Sequence, residues 1–272
     1  LGLVSGRELA RHGASVVLAC RDPALGEAAA ARICSDLPDA DVVAMSLDLA
    51  ADRSVFEQFA EAFAARHDRL DILLNNAALV SVEHHQQASN GIELQMAVNH
   101  LGHFSLCGAL FDSLRSTPGA RVVSVTSGGY KLGEIDFDDL GWTTREYKRT
   151  KAYGDSKLAN VWFMAELDRR LADAGVDVVS VAAHPGLTGT ERQQSEGVGG
   201  WLSHRLATPM EKGVRSQLFA ATSGAVSGGE LYGPRIALWG SPIRQKIKPP
   251  VDWDNARRLW STSEELTGFS FL

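Results

Sequence analysis

The chain has 272 residues, 44% of them hydrophobic and 22% charged, and its 27 Lys and Arg against 33 Asp and Glu give a net charge of −6. That balance fits a globular protein with a sizeable core and argues against a general affinity for nucleic acid or anionic membrane. Cys20, Cys34 and Cys107 form no CxxC and cannot all pair, so they read as reduced thiols of an intracellular protein, with the cytoplasm as the expected location.

The chain opens without Met at Leu1-Gly2-Leu3-Val4, already inside a helical pattern over 3–12, so a targeting signal or an entire first strand is expected to precede it. Apolar strand-length runs then alternate with helical patterns: strand 14–19, helix 23–36, strand 42–47, helix 53–67, strand 70–74, helix 92–115, strand 121–125, helix 152–174, strand 176–182, helix 208–222 and a short strand at 229–232. Gly13 and Gly175 stand where helices commonly end. The strands are rich in Val, Leu and Ile with no polar alternation, as parallel strands covered on both faces require. The alternation predicts one α/β domain over 1–272 with a doubly wound parallel sheet and right-handed crossovers. In such a sheet ligands bind beyond the carboxyl ends of the strands.

Two long connections, 128–150 and 184–207, break the rhythm and are expected to be functional or mobile loops beside a substrate. Trp142, Trp201, Leu202 and Leu206 lie in them and either line an apolar pocket or simply pack. The run Arg244-Gln245-Lys246-Ile247-Lys248 before two prolines reads as a solvated loop. No apolar run reaches the about 18 residues that a membrane helix needs.

The strongest chemical signal is Tyr153-Gly-Asp-Ser-Lys157. Residues four apart on a helix share a face, and an ammonium beside a phenol favours the phenolate, drawing its pKa toward the working range of a general acid/base. Alone this spacing is weak. Its context is not: Ser127 closes the strand Arg121-Val-Val-Ser-Val-Thr, Asn75-Asn76-Ala77 closes another, and His184-Pro185-Gly186-Leu187-Thr188 follows a third. His100 and His103 are three apart on a helix, but no third ligand is evident and no metal site is expected. A Ser-His-Asp hydrolase is disfavoured by the lack of a GxSxG nucleophile elbow.

Together with Ala19-Cys20-Arg21-Asp22, Asn99-His-Leu-Gly-His-Phe104, Ser156-Lys-Leu-Ala-Asn160 and Glu264-Glu-Leu-Thr-Gly268, these motifs resemble the short-chain dehydrogenase/reductase family, and within it the retinol-dehydrogenase-like branch. The resemblance covers essentially the whole chain and implies a Rossmann-type sheet. It implies that Tyr153 exchanges a proton with the substrate oxygen, and that Lys157 lowers the Tyr153 pKa and hydrogen-bonds the nicotinamide ribose. Ser127 would hold the substrate carbonyl or alcohol, register favouring it over Ser124 and Thr126, and Asn99 would position a water in the proton relay. Cofactor contacts are implied at Gly2, Leu3, Asp48, Leu49, Asn76, Ala77, Tyr153, Lys157, Pro185, Gly186 and Thr188. Only Leu1-Gly2-Leu3 matches the end of the family's TGxxxGxG phosphate loop; the strand and amides before it are expected upstream.

Where enzymes selective for NAD carry an acidic residue after the second strand, this chain has Cys20 and then Arg21, whose guanidinium suits a 2′-phosphate. NADP is therefore favoured, with Asp22 keeping NAD open. The expected function is hydride transfer between NADP(H) and the carbonyl or alcohol of a fairly apolar small molecule, in the reducing direction. Two rivals stand beside it, a non-catalytic dinucleotide-binding or scaffold protein and an epimerase or dehydratase using the same Tyr-Lys pair. A homodimer or homotetramer through helices 92–115 and 152–174 is expected from the family, although the apolar Leu158, Val161, Trp162 and Phe163 suit a core equally well.

Overall fold

A computed structural model describes residues 1–80, 82–186, 209–236 and 239–272. Its helices are α1 (Gly2–Arg11), α2 (Pro23–Asp36), α3 (Arg53–Ala64), α4 (Leu94–Met96), α5 (Gly102–Ala109), α6 (Phe111–Arg115), α7 (Arg149–Asp173), α8 (Met210–Gly213), α9 (Arg215–Thr222) and α10 (Trp253–Thr267). Its strands are β1 (Val16–Cys20), β2 (Val42–Ser46), β3 (Ile72–Asn75), β4 (Ala120–Val125), β5 (Val178–Ala183), β6 (Leu231–Ile236) and β7 (Trp239–Gln245).

Among the described residues the strands form two sheets, β1-β2 and β3-β4-β5-β6-β7. Pairing is parallel from Val16↔Val42 through Ala183↔Tyr232, and only β7 runs antiparallel, on β6. This is the doubly wound α/β architecture that the alternation predicts. Period-two geometry sends neighbouring β4 residues to opposite layers. Val122 joins Phe104, Phe163 and Trp260 under α5, α7 and α10, whereas Val123 joins Val181, Ala220 and Tyr232 under α9. Both are under 2% exposed, which is why the strand reads as continuously apolar.

α1 spans the two sheets. Gly6 lies against Leu18 of β1, while Ser5 and the residue after β3, Asn76, both accept hydrogen bonds from Gln217 of α9, at 2.7 and 3.2 Å.

Three expectations need correction. The helix over 92–115 is broken: a π turn occupies Ala97–Leu101, and Leu110 separates α5 from α6. The run 244–248 is not all loop, since Arg244 and Gln245 belong to β7, with Arg244 3.0 Å from Glu230. β7 and α10 fall outside the expected elements. The signals for α10 were present: Asp252 caps the Asn255 amide at 3.0 Å, and Gly268 ends the helix at φ 72°.

Leu158, Val161, Trp162 and Phe163 of α7 are all buried within this single chain, so their apolar character is that of a core. Among the described residues no helix is long and apolar enough to cross a membrane.

Candidate active site

Tyr153 and Lys157 are one turn apart on α7, with the Lys157 Nζ 5.8 Å from the centre of the phenol ring. Lys157 is 1% exposed and donates to the Val125 carbonyl at 3.1 Å, which anchors the ammonium at the carboxyl end of β4. Burial pushes its pKa down to about 7. Burial also pushes the Tyr153 phenol up, opposed by a hydrogen bond from the Ser127 side chain. The expectation that the ammonium draws the phenol down is thus not met by these groups alone. Desolvation outweighs their mutual attraction, and each is held toward its neutral form.

The three hydroxyls at the end of β4 are now distinguishable. Thr126 Oγ1 donates to the Lys157 carbonyl at 2.8 Å, and Ser124 is 1% exposed with no partner for its Oγ. Ser127 alone reaches Tyr153, and its Oγ accepts from the Gly129 amide at 3.2 Å.

Asn99 sits in the π turn, fully buried. Its Nδ2 donates to the Leu79 carbonyl at 2.9 Å and the Ser156 Oγ at 3.0 Å, and its Oδ1 accepts from the Leu79 amide at 2.7 Å. The side chain therefore clamps the strand-end loop after β3 onto α7 beside Lys157. Its main-chain carbonyl lies 2.9 Å from His103 Nδ1. The sequence offers His103 as half of a metal pair and within the motif Asn99-His-Leu-Gly-His-Phe104, with no role of its own. His100, the other half, bonds Ser263 at 2.8 Å, and no group of three or more His, Cys, Asp and Glu suited to a metal occurs among the described residues.

The connection 128–150 is densely tied rather than loose. It starts as a 3₁₀ turn, Gly128–Leu132, and Gly133 packs so closely on α7 that a Cβ there would lie 2.5 Å from the Gly154 carbonyl. Asp155 Oδ1 accepts the Glu134 amide at 2.7 Å, and its Oδ2 lies 3.8 Å from Arg145, which stacks 3.8 Å over Trp142. Asp139 accepts from the amides and hydroxyls of Thr143 and Thr144, at 2.7–3.2 Å. Trp142 is a packing residue of this connection, buried at φ 55°. Burial drives Asp155 up to about 7 despite Glu134 and Arg145. Leu187, Thr188, Trp201, Leu202 and Leu206 lie outside the described residues.

On the dinucleotide side, Asp22 is the N-cap of α2, its carboxylate accepting from Ala24 and Leu25 at 3.0 and 3.2 Å. Arg21 beside it is exposed. Asp48 accepts from Ala50 at 2.9 Å, closing the turn that carries Leu49. Gly2 and Asn76 meet: a Cβ on Gly2 would stand 2.8 Å from Asn76 Nδ2. Leu3 and Ala77 are exposed, and Gly186, at φ 73°, donates its amide to His184 Nδ1 at 3.2 Å after Pro185. Gln217 and Ser5 are site-lining residues that sequence reasoning missed; no motif marks a glutamine reaching from one helix to another.

These residues fit a bound dinucleotide. Buried Asn75 Nδ2 and Oδ1 and Ser124 Oγ at the strand ends, and Gln217 Oε1 of α9, have no hydrogen-bond partner.

A doubly wound sheet with polar groups gathered at its carboxyl ends defines a class of dinucleotide-binding proteins. The chain belongs to the short chain dehydrogenase family, whose sequence profile matches residues 1–198. Members are oxidoreductases that use a nicotinamide dinucleotide. The chain is 38% identical to human retinol dehydrogenase 13 over 273 residues, covering 98% of this chain and 81% of that protein. It is 37% identical to human retinol dehydrogenase 12 over 274 residues, covering 98% and 83%. A crystallised protein of Mycobacterium paratuberculosis superposes with a TM-score of 0.82 at 35% identity, covering 100% of this chain and 91% of that one.

Proposed function

We propose that the protein transfers hydride between NADP(H) and the carbonyl or alcohol of a fairly apolar small molecule, with Tyr153 as general acid/base. The observation that carries this reading is the convergence of the Ser127 hydroxyl on the Tyr153 phenol, one turn from a buried Lys157. The retinol dehydrogenases among its relatives support an apolar alcohol or aldehyde as substrate.

When bound, the nicotinamide supplies or accepts the hydride. Tyr153 gives its phenolic proton to the substrate oxygen in reduction and takes it back in oxidation. Ser127 donates a hydrogen bond to the same oxygen and so fixes where the charge develops. Lys157, once it carries its proton, stabilises the phenolate left on Tyr153 and offers a donor to the ribose. Asn99 holds the Leu79 loop against α7 and offers its main-chain carbonyl to a relay water. Gly2, Leu3, Arg21, Asp48, Leu49, Asn76, Ala77, Pro185, Gly186 and Thr188 are the residues we assign to the dinucleotide.

NADP is preferred over NAD because the Asp22 carboxylate is committed to capping α2, leaving exposed Arg21 as the group available to an adenosine 2′-phosphate. Titration of the protein with NADPH and NADH, followed by turnover with a panel of apolar aldehydes including retinal, tests both parts. Tighter binding of NADH, or turnover confined to small polar carbonyls, would overturn them.

A further inference from the structure

His103 lies on α5, one turn beyond Asn99, and is 3% exposed. Its Nδ1 is 2.9 Å from the Asn99 main-chain oxygen. A carbonyl only accepts, so Nδ1 must carry the hydrogen, and the ring is fixed in one tautomer. Three further observations bear on what this bond does. The Asn99 side chain has both amide hydrogens engaged, on Leu79 and Ser156, so it has no donor left for the reaction. The π turn over Ala97–Leu101 alters the regular helical ladder at this carbonyl, a break that recurs at functional sites. The neighbouring His100 is core, bonded to Ser263 and edge-on to Phe163, which separates the roles of the two histidines.

We propose that His103 is a positioning residue of the proton relay, holding the Asn99 main-chain carbonyl in a fixed direction beside Lys157 through its Nδ1–H. The carbonyl oxygen has two lone pairs. His103 takes one, and in this proposal the other faces a water serving Lys157. The ring is held neutral chiefly by burial, with Lys157 adding to the effect, so no second cation arises beside the ammonium. An aliphatic side chain here would fill space but leave the carbonyl free to tilt. Misdirection of about 1 Å in a relay costs up to a hundredfold in rate.

This inference rests on Tyr153 being the proton-transfer group, and two measurements separate the fates of the two claims. His103→Leu removes the donor, whereas His103→Asn restores an N–H close to the Nδ1 position. In the full chain, His103→Leu is expected to lower kcat about tenfold and raise the solvent deuterium isotope effect on kcat. Substrate KM and NADPH affinity should stay within about twofold, and His103→Asn should recover most of the lost kcat. Unchanged kcat and isotope effect in His103→Leu, or a His103→Asn variant as slow as His103→Leu, overturns the proposal. Independently of any activity, 15N NMR of the unmodified chain should show His103 as the Nδ1–H tautomer, not titrating between about pH 5 and 9. The opposite tautomer, or titration in that range, overturns it even with Tyr153 intact. An active Tyr153→Phe variant would instead remove the reading beneath it and leave the tautomer result standing.

Discussion

The two halves of the site are built differently. Around Tyr153 and Lys157, the π turn, the end of β4, α7 and the connection 128–150 are joined by short, buried or part-buried bonds through Asn99, Thr126, Asp155 and Asp139. On the dinucleotide side Gln217 ties α1 to the residue after β3, and buried atoms of Asn75 and Gln217 lack partners. The proposed proton transfer would demand fixed geometry before the substrate arrives, which groups positioned by the fold itself supply. Cofactor recognition can use groups that find their partners on binding.

Substitutions test this contrast. Lys157→Met should be the most damaging to chemistry: turnover should fall on the order of a hundredfold to a thousandfold in steady-state kinetics, with a smaller loss of NADPH affinity. Survival of turnover would show that the ammonium is not needed.

Gly102→Ala comes next. A Cβ at Gly102 would stand 2.3 Å from the Leu49 carbonyl, a backbone atom that cannot swing aside. Denaturant titration should show a loss of about 1–3 kcal/mol, and NADPH affinity should fall because Leu49 shifts. Arg21→Ala should lower the preference for NADPH over NADH by roughly tenfold to a hundredfold, the worth of a charge-assisted contact, with little change in thermal midpoint.

Asp155 supplies a test by pH alone. Its folded pKa of about 7 lies above the ordinary aspartate value of 3.8, so the folded state binds the extra proton. The stability this gives is present at low pH and is lost as pH rises from about 4 through 7. Asp155→Asn should therefore gain on the parent as pH rises through that window, read as the difference between their thermal midpoints. A constant difference would place the Asp155 pKa elsewhere.

Much of the fold was legible because parallel strands buried on both faces leave uninterrupted apolar runs, as at Val122 and Val123. The π turn was not legible, since it depends on the docking of Asn99 against Leu79 and Ser156, twenty and fifty-seven residues away. β7 was hidden by Pro242 and a run of charges, which suit an edge strand as well as a loop. For the candidate site, the proximity of Tyr153 and Lys157 was legible because residues four apart share a helix face, and Ser127 because it follows β4. Gln217, Ser156 and His103 were not, because each acts through a partner distant in sequence or through a main-chain atom.

The most direct test of the proton-transfer claim is Tyr153→Phe, assayed in the same sample for NADPH binding and for carbonyl reduction. The phenyl ring keeps most of the shape of the site and removes only the hydroxyl. The account predicts cofactor binding within about twofold of the parent and a turnover loss of at least about a hundredfold. Binding retained together with full turnover would contradict it.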